Sequence, residues 1–124
     1  MAINKIKGAG LALALASLTS GGAMISSSAL AGSEESIAAG MELSFDRRKG
    51  NCLACHQIEG GESPGNIGPP LLAMKVRYPE REKLKNQIWD PTTINPESAM
   101  PPFGKHYLLS PEELEKVVDF IWTL

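Results

Sequence analysis

Cysteine and histidine are scarce in this 124-residue chain, with two of each. Cys52 and Cys55 stand three apart, so they tie no distant segments together. Nor does any polar–apolar alternation run long enough to make a sheet, which argues against a β architecture. Internal repeats are absent too, which excludes a solenoid or array. Uninterrupted apolar runs approaching the ~20 residues of a membrane span are also missing. The apolar stretch Leu11 to Leu18 is broken by Ser17 and followed at once by Thr19, Ser20, Gly21 and Gly22. An excess of positive charge is lacking as well: 12 Lys and Arg face 14 Asp and Glu. A mildly acidic chain gives no support for nucleic-acid binding.

The first residues have the layout of a secretory leader. Lys5 and Lys7 precede the apolar stretch, and Ala29-Leu30-Ala31 puts small residues where a signal peptidase reads. Cleavage is expected after Ala31, leaving residues 32–124 as one domain. An uncleaved anchor is the lesser alternative. Without Lys5 and Lys7, ten basic residues remain against 14 acidic ones, a net charge of −4. Export would place both cysteines in an oxidising compartment. So short a chain buries proportionally little surface, and a cofactor would help to stabilise it.

Three segments read as helices. In "SEESIAAGMELSFDRR" (33–48), Ser33 can cap, Glu34 and Glu35 suit the positive end of the helix dipole, and Ile37, Gly40, Met41, Ser44 and Phe45 share a face. Glycine is costly inside a helix, so Gly40 points to a close approach by another element. In "PEREKLKNQIW" (79–89), Pro79 suits a first turn and Leu84 and Ile88 share a face. In "SPEELEKVVDFIWTL", Ser110 and Glu113 form a capping box, and Leu114, Val117, Val118, Ile121 and Trp122 make an apolar stripe. Between these segments lie stiff loops. Residues 59–71 hold four glycines and three prolines, and residues 90–105 hold four prolines. Loops this long in a compact domain are either functional or disordered, and a bulky cofactor would order them by supplying the core they lack.

Cys52-Leu53-Ala54-Cys55-His56 offers an attachment site for such a cofactor. The spacing is that of c-type haem attachment: two thiols add across the two vinyl groups, and the adjacent histidine ligates iron. A thioredoxin-like dithiol fits less well, since no βαβ context is visible. A zinc site built from Cys52, Cys55, His56 and His106 has the ligand count, but adjacent Cys55 and His56 suit one tetrahedron poorly. A haem electron carrier commonly adds methionine opposite histidine. Met41 reads as core packing. Met74 follows His56 too closely to reach the far side of the ring. Met100 lies further on, and Pro101 and Pro102 stiffen its loop. His106 is the remaining alternative. Ligating histidines donate their second ring N–H to a carbonyl, and Pro69 is placed to accept it. Arg47, Arg48 and Lys49 beside the attachment sequence suit an acidic partner, haem propionates or plain solvation.

The order of helix, CxxCH, Gly-Pro, helix, methionine loop and C-terminal helix resembles class I cytochrome c over residues 32–124. The resemblance implies an all-α fold whose first and last helices cross, with Gly40 against the Phe120 to Trp122 region. More narrowly, "FDRRKGNCLACH", "GNIGPPL", "QIWDPTTINPESAMPPFGKH" and "LSPEELEKVVDFIWTL" resemble SoxX, the small monohaem subunit of the SoxAX complex. That resemblance implies a periplasmic protein bearing one covalent haem c and paired with a SoxA-type cytochrome subunit. It also implies thiosulfate oxidation, in which the complex joins thiosulfate to a carrier cysteine and this chain passes electrons to an acceptor cytochrome. The sulfur chemistry then belongs to the partner, because Cys52 and Cys55 would both be thioethers. The alternative is a freely diffusing monohaem cytochrome of a respiratory or photosynthetic chain.

Overall fold

The computed structural model describes residues 32–124; the leader expected over residues 1–31 lies outside them. Among the described residues there are four helices and no strand. They are α1 (Glu34–Phe45), α2 (Met74–Arg77), α3 (Arg81–Trp89) and α4 (Pro111–Thr123). Short 3₁₀ turns occupy Cys52–Ala54 and Pro91–Thr93. None of these helices is long and apolar enough to cross a membrane. The all-α expectation is met.

α4 organises the core. The Ser110 hydroxyl accepts from the Glu113 N–H, and the Glu113 carboxylate accepts from the Ser110 N–H, so the expected capping box forms. Leu114, Val117, Val118 and Ile121 are all 2% exposed or less. Each such side chain contributes roughly 1.5–3 kcal/mol by leaving water. α3 adds Leu84 and Ile88 to the same core. Trp122 lies at its edge, with its indole N–H donating to the Tyr78 carbonyl at 2.9 Å.

The most extensive helix–helix contact is between α1 and α4. Gly40 is where they meet: a Cβ there would lie 1.9 Å from the Lys116 carbonyl oxygen and 2.9 Å from Phe120 Cβ. Phe45 meets the Phe120 ring edge-on, with centroids 6.0 Å apart. Ser44 is fully buried beside this contact because its hydroxyl turns back to the Gly40 carbonyl, 2.7 Å away. A polar knot closes the other side of α4. The buried Asp119 accepts from Ser36 Oγ at 2.6 Å, the Gly32 N–H at 2.8 Å and the Arg81 guanidinium, which also reaches Glu115. Burial alone would raise the Asp119 carboxyl, but the bonds from Ser36, Gly32 and Arg81 outweigh it and hold the group below its ordinary value.

The sequence reading differs from the structure at four places. α1 ends at Phe45, not Arg48, because Asp46 turns the chain and accepts from Lys49 and Asn51. α3 starts at Arg81 with Glu80 as its N-cap, so Pro79 precedes the helix and does not sit in its first turn. Met41 is 42% exposed and does not pack in the core, because α4 crosses α1 over Gly40 and Ser44. α2 was not expected.

Candidate haem-binding cavity

α1 hands the chain to the cysteine segment through a tight turn. The Gly50 N–H donates to the Leu43 carbonyl, and Asn51 takes a left-handed conformation, φ +48°. A 3₁₀ turn over Cys52–Ala54 follows, and the His56 N–H donates to the Cys52 carbonyl at 2.9 Å. The two cysteines and the histidine are thereby wound around a single turn. Residues 57–71 then fold back over it. The Gly65 N–H donates to Leu53, Gly68 to Cys55 and Leu71 to Gln57.

This return fixes the imidazole. His56 Nδ1 lies 2.7 Å from the Pro69 carbonyl oxygen. A carbonyl only accepts, so Nδ1 carries the proton and Nε2 keeps its lone pair for a metal. Gly68 permits the close approach, since a Cβ there would lie 2.3 Å from His56 Cε1. The sequence-predicted partnership of His56 and Pro69 is present.

Cys52, Cys55 and His56 line one cavity of about 650 Å³. That volume suits a cofactor-sized ligand. Leu84, Ile88, Leu109, Val117 and Ile121 make much of its apolar wall. Met100 and Met74 both line it, while Met41 and His106 do not. The two methionines differ in freedom. Met74 is 2% exposed, its N–H bonds the Leu124 carbonyl at 2.7 Å, and its sulfur lies 3.4 Å from Arg77 Nη1. Met100 is only partly buried and sits in the loop after α3.

The other proposed chemistries fare worse. Cys52 and Cys55 are not joined to one another. Burial pushes the Cys52 thiol up to about 11, against a weaker hydrogen bond with Ser44. Zinc needs thiolates, which that environment disfavours. Among the described residues no group of three or more His, Cys, Asp or Glu side chains is placed to hold a metal ion. His106 is exposed and outside the cavity.

The charged residues lining the cavity are all basic: Arg47, Arg48, Lys49 and Arg77. Two of the three in the Arg47–Lys49 cluster are already engaged. Lys49 pairs with Glu113 at 2.6 Å, and Arg48 lies 3.6 Å from Asp46. Arg77, which the sequence reading passed over, donates to the Pro70 carbonyl at 2.9 Å. Its only local signal was a basic residue following the Gly-Pro-Pro segment. The cavity mouth also exposes apolar surface: Ile67 is 73% and Leu108 45% exposed.

A family model described as cytochrome c oxidase, cbb3-type, subunit III matches residues 36–121. This chain belongs to that cytochrome c family. The match begins within α1, takes in the cysteine turn and the methionine loop, and ends within α4. An uncharacterized lipoprotein of Aquifex aeolicus (strain VF5) is 36% identical over 75 residues. The aligned part is 60% of this chain and 36% of that protein, so the chain spans little more than a third of its relative's length. Family membership, the Cys52/Cys55 spacing and the cavity point together to covalently held haem. The donor set fits this group: two sulfurs at one wall, a histidine with Nε2 available, and apolar side chains around them.

Proposed function

We propose that this cytochrome carries one haem on Cys52 and Cys55, with His56 and Met100 as axial ligands, and serves as the electron-relay subunit of a SoxAX-type complex in thiosulfate oxidation. The observation that carries the haem reading is the single cavity lined by Cys52, Cys55, His56 and Met100, with His56 Nδ1 held by Pro69. The haem would supply one-electron redox chemistry. The chain's own part is to orient the imidazole, present the thioether and keep water from the apolar wall. The SoxX assignment rests on the "FDRRKGNCLACH" and "MPPFGKH" stretches.

The partner would be a SoxA-type cytochrome subunit that performs the sulfur chemistry. This chain offers no free thiol for that task, since both cysteines would be thioethers. An iron held by His56 and Met100 has no open position for a substrate sulfur. A pair of electrons also exceeds what one haem stores. The exposed Ile67 and Leu108 at the cavity mouth favour a subunit interface with an apolar centre over a purely charged shuttle patch. The cationic lining suits an acidic rim on the partner. A diffusing respiratory cytochrome is the second reading, and the same basic mouth would serve it. A leader over residues 1–31 would direct the protein to the periplasm, and the similarity to a lipoprotein supports export.

The test is conjugation of thiosulfate to a carrier protein with an artificial electron acceptor. This chain, the partner, and both together are assayed side by side. Turnover is expected only with both. Robust turnover by this chain alone would refute the relay role. Co-purification of the native protein without a second haem polypeptide would favour the diffusing reading.

A further inference from the structure

The segment from Asp90 to Lys105 carries Met100 and contains no regular element beyond the 3₁₀ turn Pro91–Thr93. Its two ends nevertheless close on each other. The Asp90 side chain is 8% exposed, and one of its carboxylate oxygens accepts from Lys105 Nζ at 2.7 Å. Beside this pair, the Phe103 N–H donates to the Ile88 carbonyl and the Gly104 N–H to the Trp89 carbonyl, each at 3.2 Å. The other Asp90 oxygen accepts from the Thr92 N–H at 3.1 Å and from the Thr92 hydroxyl, holding the 3₁₀ turn.

From that turn a continuous run of hydrogen bonds leads to Met100. The Asn95 N–H donates to the Pro91 carbonyl at 3.0 Å, and the Ser98 N–H to the Asn95 carbonyl at 2.9 Å. The Met100 N–H donates to Ser98 Oγ at 3.2 Å. No α-helix contributes to this run, so the backbone at Met100 is set from Asp90 along the loop, while its side chain packs against the core. A loop with free ends would spread the thioether over many positions, at an ordering cost for each residue. Fastening the ends removes much of that freedom.

We infer that the Asp90–Lys105 ion pair is the positioning element of the Met100 loop, governing how readily the Met100 thioether leaves the haem iron without touching either. The inference rests on the axial-ligand reading above. Neither residue lines the cavity, so both act only through the loop.

The test uses the ferric holoprotein with imidazole as the probe. Imidazole binds iron only after the thioether has left, so its capture rate reports loop opening. Lys105→Met and Asp90→Asn should speed capture about five- to tenfold, the effect of losing one charge-assisted hydrogen bond at a half-exposed pair. Lys105→Arg keeps the charge and a donor, and should stay within about twofold of the unaltered protein. Ser110→Ala removes the α4 cap and lowers global stability away from this loop. It should leave capture unchanged. Capture by Lys105→Met within about twofold of the unaltered protein overturns the inference. So does an equal acceleration in Ser110→Ala, which would reveal general softening. Failure of the underlying ligand reading looks different: Met100→Ala would then retain the sulfur-to-iron charge-transfer band.

Discussion

Replacing Gly40 with alanine should destabilise the protein, against the helix propensity of the two residues. Alanine favours an isolated helix by about 1 kcal/mol over glycine. In this protein the added Cβ would sit 1.9 Å from the Lys116 carbonyl oxygen, a backbone atom that cannot swing aside. A carbon–oxygen contact needs about 3.3 Å, so α1 and α4 must part by roughly 1.4 Å. A gap of that size forfeits about half or more of the dispersion energy between the facing side chains. It also pulls apart the edge-on Phe45–Phe120 pair, worth about 0.5–1.5 kcal/mol beyond its area. With overpacking costs of about 1–3 kcal/mol, the loss comes to roughly 3 kcal/mol before the propensity gain and about 2 kcal/mol after it. In a domain of ~60–100 residues each kcal/mol moves the midpoint by about 4–8 °C, so thermal unfolding of the holoprotein should fall by roughly 8–16 °C. Ala38→Gly, at an exposed position of the same helix, reports propensity alone and should cost about 1 kcal/mol or less. A Gly40→Ala protein as stable as the unaltered one would refute the crossing as the contact that requires glycine.

Met100→Ala should abolish the sulfur-to-iron charge-transfer band and lower the potential, by about 59 mV for each tenfold change in the ratio of ferric to ferrous binding constants; Met74→Ala should do neither. Mass spectrometry after acid-acetone extraction should show the chain plus one haem, whereas a colourless chain holding zinc or a Cys52–Cys55 disulfide would end the haem reading. Asp119→Asn should cost about 2 kcal/mol, below the 3–5 of a fully buried broken pair because Arg81 is partly exposed and keeps Glu115. The Asp119 carboxyl is held below its ordinary value, so its contribution is present above about pH 4 and is lost as pH falls through the lowered folded value. Denaturant titrations across the acid range should therefore show a shallower acid limb for the Asn variant.

Features with local causes were the legible ones. The α4 cap, its apolar stripe and the cysteine turn each depend on residues within a few positions of one another. Gly40 was legible as an anomaly, a helix breaker on a helical face. α2 was not, because four residues carry no periodicity and its start at Ala73 needs a left-handed backbone, φ +51°, that alanine does not advertise. Ser44 was legible as part of the packing face with Ile37 and Gly40, but not how a polar side chain is satisfied there, since that depends on a hydroxyl turned back on its own helix. The Asp119–Arg81 knot was invisible because its partners lie far apart in the chain and meet only once three helices have packed. Arg77 with Pro70 and Asp90 with Lys105 are nearer in the chain, but they meet through irregular loops, which have no period to read.

The crossing of α1 and α4 also bears on the order in which the protein is made. A chain emerges from its N-terminal end, so Cys52, Cys55 and His56 are available well before Leu114, Val117 and Ile121 have been synthesised. Until those residues arrive, α1 has no surface to pack on and the cysteine turn has no wall behind it. Pairings between distant segments also form slowly. Cys52, Cys55 and His56 lie in the segment between the two crossing helices, and Val117 and Ile121 of the last helix form the wall behind them, so the cavity is complete only when both ends of the chain have met.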